Sequence, residues 1–354
     1  MSIPFFGKPI YVACPMNYRT GGVELLYQLV NELKTTLNAN AHLFFQGNLR
    51  DYHPIPDYQN YQIDPVFFDE VGSNFSGIMV IPEVMTYLLA RYPLAQKMIW
   101  WESVDNYCGG GAGSLCPNFF DSIQTYGFFC TGKRTLKKVA NSLFSNRAYA
   151  KFPTIKKNAC LHLVQSQYAY LYLKQRGIPN EHIKFLSDYI NDCFLSETID
   201  VKKKENIVLY NPKKGLSFTK KIISHNPFIT FIPLEGLDNG GMINLFKRAK
   251  LYIDFGNHPG RDRMPREAAS LMCCIIVGKN GSARNLVDIP IPEKYKFVVK
   301  KQNISKISEL ISEIFEDYSS SINDFSSYRS AIAGQKREFL LQMKSIFEQG
   351  ELSL

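Results

Sequence analysis

The 354-residue sequence has no apolar run long enough to cross a membrane. Its longest apolar stretch, residues 78–92, is interrupted by Pro82, Glu83 and Arg91. A membrane-spanning helix needs roughly 18 to 20 uninterrupted apolar residues. The N-terminal residues contain no basic stretch followed by an apolar run, so they do not resemble a secretory signal. We therefore expect a cytoplasmic protein.

Motifs that define several enzyme classes are also missing. The eight cysteines are scattered and form no C-x-x-C pair, so neither a zinc site nor a disulfide scaffold is expected. The sequence has no G-x-G-x-x-G, Walker A, H-E-x-x-H or G-x-S-x-G motif. No Asp-x-Asp pair follows a predicted strand, so we expect neither a metal ion nor another cofactor at a diphosphate site.

The charge distribution is uneven. The chain carries 41 basic and 32 acidic residues, a formal net charge of +9. Val139, Leu143 and Phe144 lie at helical spacing within a basic segment, which indicates either an amphipathic helix on an anionic membrane surface or a solvated helix face. No RNP, KH or helix-turn-helix pattern accompanies the segment, so a nucleic-acid partner is not expected. The eight cations of this acid-free segment are Lys133, Arg134, Lys137, Lys138, Arg147, Lys151, Lys156 and Lys157.

Short apolar runs alternate with helical patterns along the chain. Two such sets, separated by a polar linker at 196–206, predict an α/β protein with two Rossmann-like, doubly wound domains. Ligands of such proteins bind at the carboxyl ends of the strands and between the domains. Strands are predicted at 9–14, 42–45, 77–81, 97–101, 128–131, 160–165, 206–210, 228–233, 251–255 and 274–278. Helices are predicted at 23–33, 84–92, 166–176, 218–224 and 241–248, with two or three more between 303 and 349.

The strongest candidate binding segment is NHPGRDRMPREAAS, residues 257–270, which follows a predicted strand. Gly260 lies in a Pro-Gly turn, and Arg261 and Arg263 place two cations beside exposed backbone amides. A helix N-terminus with adjacent arginines suits a diphosphate, and Glu267, one turn into the helix, could accept hydrogen bonds from a ribose diol. The alternative is a salt-bridged helix start in which Glu267 pairs with Arg263.

Two further loops follow strands of the same predicted sheet. NPKKG, residues 211–215, opens a helix, so Lys213 and Lys214 could reach the same diphosphate, although a polar turn without a ligand is an alternative. Glu235 follows the next strand, where backbone groups could hold a nucleobase. Because the carboxyl ends of parallel strands meet at one edge of a sheet, we expect these loops to converge.

The first predicted domain offers candidates for acid–base chemistry. Gly22 lies in the first strand–helix turn, where glycine lets a ligand approach the backbone. Glu102 and Asp105 follow a strand, and Asp105 is the preferred general base, with Glu102 and then Glu83 as rivals. A turn-fixing aspartate without a catalytic role is the alternative. His258, beside the arginine-rich loop, is a further catalytic candidate.

Four segments together resemble glycosyltransferases of the GT-B fold, particularly those of bacterial surface-polysaccharide assembly such as lipopolysaccharide O-antigen or capsule. They are RTGGVELLYQL, WWESVDNY, YNPKKG and HPGRDRMPREAAS. The resemblance implies an acceptor-binding domain at 1–195 and a nucleotide-sugar-binding domain at 196–325, facing across a cleft. It also implies C-terminal helices at 326–354 that cross back onto the first domain.

The resemblance also implies roles for individual residues. Lys213 and Lys214 match the basic loop that contacts the donor diphosphate in this family, and Arg261 fits the same role. Glu267 matches the second carboxylate of the E-x7-E pattern, which holds the donor ribose. The position of the first carboxylate is occupied by Pro259.

The implied activity is metal-independent transfer of a sugar from a nucleotide-sugar to a hydroxyl of a glycan acceptor. A lipid-linked acceptor would suit a peripheral location at the inner face of the cell membrane, with residues 133–157 on the anionic surface. The sequence leaves open whether the anomeric configuration is retained or inverted. The alternatives are a sugar-nucleotide epimerase or phosphorylase-like enzyme on the same architecture, and a non-catalytic subunit that binds nucleotide-sugars or glycans.

Overall fold

The computed structural model describes residues 7–109 and 149–348. The chain forms two compact units. The described residues of the first unit are 7–109, 149–188 and 337–348, and those of the second are 189–336. The predicted strand at 128–131 and most of the basic segment, including Val139, Leu143 and Phe144, lie outside the described residues.

The first unit is built on a parallel sheet, seven strands of which lie in the described ranges. The strand order is β3-β2-β1-β4-β5-β6-β7, so the direction of chain progression reverses between β1 and β4. Strands buried on both faces account for the apolar runs seen in the sequence. The strands are β1 (Ile10–Cys14), β2 (Ala41–Phe45), β3 (Pro65–Phe67), β4 (Ile78–Pro82), β5 (Gln96–Trp101), β6 (Leu161–Val164) and β7 (Ile183–Phe185).

Helices flank this sheet. In α1 (Gly21–Leu37), the Thr20 hydroxyl accepts a hydrogen bond from the Val23 N–H, and Asn38 ends the helix in the left-handed conformation at φ 50°. The shorter helices are α2 (Val104–Gly109), α3 (Phe152–Asn158) and α4 (Gln167–Gln175). Short 3₁₀ helices cover Leu49–Asp51, Pro56–Tyr58, Phe68–Glu70 and Asn180–His182.

One predicted helix of this unit has a different form. The segment 84–92 was expected to be α-helical, but Glu83–Ala90 forms 3₁₀ turns. Met85 has non-helical dihedral angles (φ −120°, ψ 21°), which interrupt the helical backbone near its start. The apolar side chains Leu88 and Leu89 are nevertheless buried in the core, so the apolar pattern reported burial rather than helix type.

The second unit contains a five-stranded parallel sheet within residues 189–336. Its order is β12-β11-β10-β8-β9, which reverses between β8 and β10. This is the 2-1-3-4-5 order of flavodoxin-like sheets, in which the ligand crevice opens at the carboxyl ends of the strands beside the reversal. The strands are β8 (Glu205–Tyr210), β9 (Thr230–Pro233), β10 (Ala249–Asp254), β11 (Cys274–Gly278) and β12 (Lys296–Phe297).

The helices of the second unit are α5 (Leu216–His225), α6 (Asn239–Arg248), α7 (Arg263–Ser270), α8 (Ile304–Glu316), α9 (Tyr318–Ser321) and the first part of α10 (Ser326–Phe347). Short 3₁₀ helices cover Asp192–Phe194, Val201–Lys203, Ser282–Arg284, Glu293–Tyr295, Lys301–Asn303 and Ile322–Phe325. The last part of α10, from Arg337 onwards, belongs to the first unit. There the Phe339 ring stacks on the Trp100 ring, with 6.5 Å between the ring centroids. The predicted α/β class with two parallel, Rossmann-like sheets is thus confirmed.

A buried lysine secures the amino end of the second sheet. The Lys204 ammonium donates hydrogen bonds to the carbonyl oxygens of Phe246 (2.6 Å), Ala249 (2.9 Å) and Leu271 (2.5 Å). Burial lowers the pKa of Lys204. The side chain therefore satisfies three carbonyl groups that no water could reach.

None of the helices in the described part of the chain combines the length and apolar content that a membrane crossing requires.

Candidate functional site

The loops after β8 and β10 approach each other at the reversal of the second sheet. Gly215 caps α5 with φ +67°, and a Cβ atom there would lie 2.5 Å from the backbone nitrogen of Gly256. A Cβ atom on Gly256 would in turn lie 2.5 Å from Cγ of Lys214. Two glycines thus allow backbone and side chain to pack closely, as the predicted convergence of these loops requires.

Lys214 is held between these loops. Its ammonium forms an ion pair with Asp262, lies 3.4 Å from Oδ2 of Asp254, and donates to the carbonyl oxygen of Asn257 at 3.2 Å. Burial by itself would lower the pKa of Lys214, but the two carboxylates outweigh it and raise the pKa. Three oxygen atoms match the three N–H donors of an ammonium group, so Lys214 is fully engaged within the protein.

The imidazole of His258 completes this cluster. The ring is fully buried, with Nδ1 2.5 Å from Oδ2 of Asp262 and Nε2 4.0 Å from Oδ1 of Asp254. Burial alone would raise the pKa of Asp262, but Lys214 and His258 hold it well below its usual range. Within the described ranges, one group has the donor set for a metal ion, and it consists of Asp254, His258 and Asp262.

The side chain of Arg266 holds the turn that precedes α7 through hydrogen bonds to its backbone. This arginine is 1% exposed. Its guanidinium donates to the carbonyl oxygens of Arg261 (2.8 Å) and Asp262 (3.2 Å) and to the side chain of Gln335 (2.8 Å). A buried arginine with several acceptors holds a loop more firmly than a lysine could, because its planar fork fixes several bonds at once.

Neighbouring backbone also supports the turn. The Ser282 hydroxyl donates to the carbonyl oxygen of Gly260 at 2.6 Å, and the Ser282 N–H donates to that of His258 at 2.8 Å. Hydrogen bonds from Arg266 and Ser282 therefore fix the conformation of the turn within the protein itself.

The remaining candidates of this unit differ in exposure. Lys213 is exposed, Arg261 and Arg263 are half-buried, and Glu267 is buried in α7. Exposed Glu235 follows β9. The Leu234 N–H beside it bonds to the carbonyl oxygen of Tyr210 at 2.9 Å, so this loop belongs to the same edge.

The reversal of the first sheet carries two carboxyl groups. Glu83 follows β4 and Glu102 follows β5, and the Glu102 N–H donates to Oε2 of Glu83 at 3.0 Å. Burial raises the pKa of Glu83 to about 7, against a smaller opposing effect of backbone N–H groups. Gly22, in the first turn of α1, makes room for Glu102, because a Cβ there would lie 2.5 Å from Oε2 of Glu102.

Asp105 has a different setting. It lies in α2 with 9% exposure, and Oδ1 accepts a hydrogen bond from the Tyr168 hydroxyl at 3.0 Å. The structure therefore brings Gly22, Glu83 and Glu102 together and places Asp105 on the helix that follows them. The assignment of the base remains a prediction.

Sequence reasoning did not identify Asp254, Asp262 or Arg266. One signal was present: Asp254, His258 and Asp262 are spaced by four residues across a strand end and a turn. Arg266 offered no such signal, since an arginine in an amphipathic helix is usually exposed.

No protein-family model matches the sequence, and no curated protein matches it. Solved structures match over nearly the whole chain. Sucrose-phosphate synthase from Thermosynechococcus elongatus has a TM-score of 0.61 at 11% identity, with 97% of this chain and 98% of that chain covered. HepE from Anabaena, solved with UDP and glucose, gives 0.60 at 11%, with the same coverage. A glycosyltransferase from Rickettsia africae gives 0.58 at 13%, covering 98% and 100%. At these identities the likeness establishes the fold, which is that of GT-B glycosyltransferases.

Proposed function

We propose that the chain is a glycosyltransferase that moves a sugar from a nucleotide-sugar donor to a hydroxyl group of a glycan acceptor. The donor would bind at the carboxyl edge of the second sheet, and the acceptor in the first unit. The role of the protein would lie in bacterial surface-polysaccharide assembly, such as O-antigen or capsule.

The carrying observation is the meeting of the β8 and β10 loops at the sheet reversal, close to the N-terminus of α7. Lys213, Arg261 and Arg263 provide cations on these loops, and the first turn of α7 provides backbone N–H groups. Cations and helix-end amides stabilise a departing phosphate. Glu267, one turn into α7, would hold the donor ribose. HepE, which shares the fold, has been solved with UDP-glucose.

The contacts of Lys214 lead us to assign different roles to Lys213 and Lys214. Because the Lys214 ammonium is surrounded by Asp254, Asp262 and Asn257, a diphosphate would have to displace one of them. We therefore assign diphosphate contact to exposed Lys213. Lys214 would position the loops.

For an inverting reaction, Glu83 is the base we favour over Asp105 and Glu102. Its pKa of about 7 suits proton transfer near neutral pH, since the carboxyl is partly ionised there yet basic enough to accept the proton of a sugar hydroxyl. Asp105 already accepts a hydrogen bond from Tyr168. In a retaining reaction no such base is required, and His258 would act by orienting the cluster beside the donor.

Donor binding is the direct test. Thermal shifts of the whole chain with UDP-, GDP-, dTDP- and CMP-sugars should single out one nucleotide. A ligand at about 100 times its dissociation constant stabilises the folded state by about 2.7 kcal/mol. Lys213→Ala should weaken binding, with Lys203→Ala as an exposed lysine control on the same unit. A uniform absence of shifts would contradict the proposal.

Turnover then separates this activity from the alternatives. A transferase needs an acceptor, whereas an epimerase converts the donor without one, and a binding subunit gives neither reaction. Reaction with donor alone and with a crude lipid-linked glycan fraction distinguishes the three.

A membrane-associated acceptor is the finer part of the proposal. Exposed Lys151, Lys156 and Lys157 flank or belong to α3 and suit an anionic surface at the cytoplasmic face. Neutralising these three lysines should reduce partition onto anionic liposomes more than onto neutral ones. Unchanged partition would count against this location.

A further inference from the structure

The cluster of Asp254, His258 and Asp262 has the geometry of a cation site. Each residue offers one ligand atom, and these atoms all lie within 4.8 Å of one another. Two carboxylate oxygens and an imidazole nitrogen form a common donor set for divalent transition metals. The residues come from the end of β10, the following turn and the N-cap of α7, all within the second unit.

A second observation points to a cation independently of the acidic residues. Both ring nitrogens of His258 are buried and lack a hydrogen bond in the described structure. The Nδ1 atom lies 2.5 Å from Oδ2 of Asp262, so the imidazole faces the carboxylates of the cluster. A fully buried imidazole without a directed partner is costly unless a positive charge or a ligand bond compensates it.

The carboxylate of Asp254 is already oriented in the way that metal ligands are. Its Oδ1 accepts the Gly256 N–H at 2.9 Å, and its Oδ2 accepts the Tyr252 hydroxyl at 3.0 Å. Outer hydrogen bonds of this kind fix the direction of a ligating carboxylate. The donor set is thus preorganised by its surroundings.

The cluster already contains a tethered positive charge, the ammonium of Lys214, which contacts both carboxylates. We infer that Lys214 is a tethered substitute for a divalent cation, filling a site that Asp254, His258 and Asp262 would otherwise offer to a metal ion. The tether keeps the ammonium at high local concentration, so a free cation must displace it. Because its single positive charge pairs with both carboxylates, the ammonium holds the two loops together without a metal ion.

Removing the lysine side chain should therefore open the site. Lys214→Ala should bind one Mn²⁺ or Zn²⁺ per chain in isothermal titration calorimetry, at least about tenfold more tightly than the wild-type chain. The double variant Lys214→Ala/Asp262→Asn should lose this binding, because one ligand is gone. Lys203→Ala, which removes an exposed lysine of the same unit, should bind the metal ion no more tightly than the wild-type chain.

Stability gives a second readout if Lys214→Ala folds poorly. Mn²⁺ or Zn²⁺ should then raise the melting temperature of Lys214→Ala but not that of the double variant. Lys214→Gln, which keeps a donor for the Asn257 carbonyl, serves as the better-folded variant. Wild-type binding as tight as that of Lys214→Ala, or no added site in either folded single variant, would overturn the inference.

These measurements use no nucleotide. Failure of the metal experiment would leave the proposed donor binding untouched, and failure of the nucleotide-sugar screen would leave the metal result standing.

Discussion

Replacing Glu83 with glutamine isolates the buried carboxyl at the end of β4. Because the pKa of Glu83 is raised from 4.5 to about 7, ionising this carboxyl group costs about 3 kcal/mol more in the folded protein than in the unfolded chain. The folded state holds this proton more tightly than the unfolded chain does. The contribution of Glu83 to stability is therefore intact below pH about 4.5 and is lost as the pH rises to about 7.

Glutamine cannot ionise, so Glu83→Gln should lack this loss. Its free energy of unfolding relative to wild type should improve by up to about 3 kcal/mol between about pH 5 and pH 8. The absolute value will start lower, since the amide cannot accept all the backbone N–H groups that face the carboxylate, including that of Glu102.

Urea unfolding of both proteins at the two pH values measures this difference directly. Glu181→Gln, at an exposed carboxyl of the same unit, serves as the control and should show no comparable change. If Glu83 is the base, the variant should also lose the rise in activity with pH through about 7. Parallel pH profiles of stability for wild type and Glu83→Gln would refute the reasoning.

Three other substitutions test separate parts of the structure. Gly22→Ala should change stability little, since alanine favours the helix, yet it should lower transferase activity because the added Cβ displaces the Glu102 carboxylate; melting curves and initial rates check this. Lys213→Ala should weaken nucleotide-sugar binding roughly five- to tenfold and reduce its salt dependence, with an unchanged melting temperature. Lys204→Met should cost roughly 2 to 4 kcal/mol in urea unfolding because three buried carbonyl groups lose a charged donor, whereas Lys203→Met next to it should stay within about 0.5 kcal/mol.

The central strands of both sheets could be predicted because their apolar runs are buried on both faces. Segment 97–101 corresponds to β5 and segment 251–255 to β10, each within two residues. The short strands β3, β7 and β12 were not predicted. They contain two or three residues and pair with a longer neighbour, so tertiary contact rather than local pattern decides their conformation.

The sequence identified the loops of the candidate site but not the contacts that individual side chains make within them. Lys213 and Lys214 are equivalent in the sequence, whereas the structure leaves one exposed and surrounds the other with acceptors. That difference depends on Gly256, which leaves space for the Lys214 side chain against the neighbouring loop. A close approach between two loops from different strands has no signature in either loop alone.

The two sheets place their reactive groups by the same topological rule. Each reverses its strand order once within the described residues, between β1 and β4 in the first and between β8 and β10 in the second. At each reversal a glycine leaves room for a side chain of a neighbouring loop, Gly22 for the Glu102 carboxylate and Gly256 for the Lys214 side chain. In the first sheet, the Glu102 N–H donates to Glu83, and burial raises the pKa of Glu83 to about 7. In the second sheet, Lys214 occupies this space, and Asp254 and Asp262 stabilise its positive charge. A carboxyl group with a raised pKa and a cluster of paired charges therefore arise from one architecture, because the residues after the strands, rather than the strands themselves, decide the chemistry.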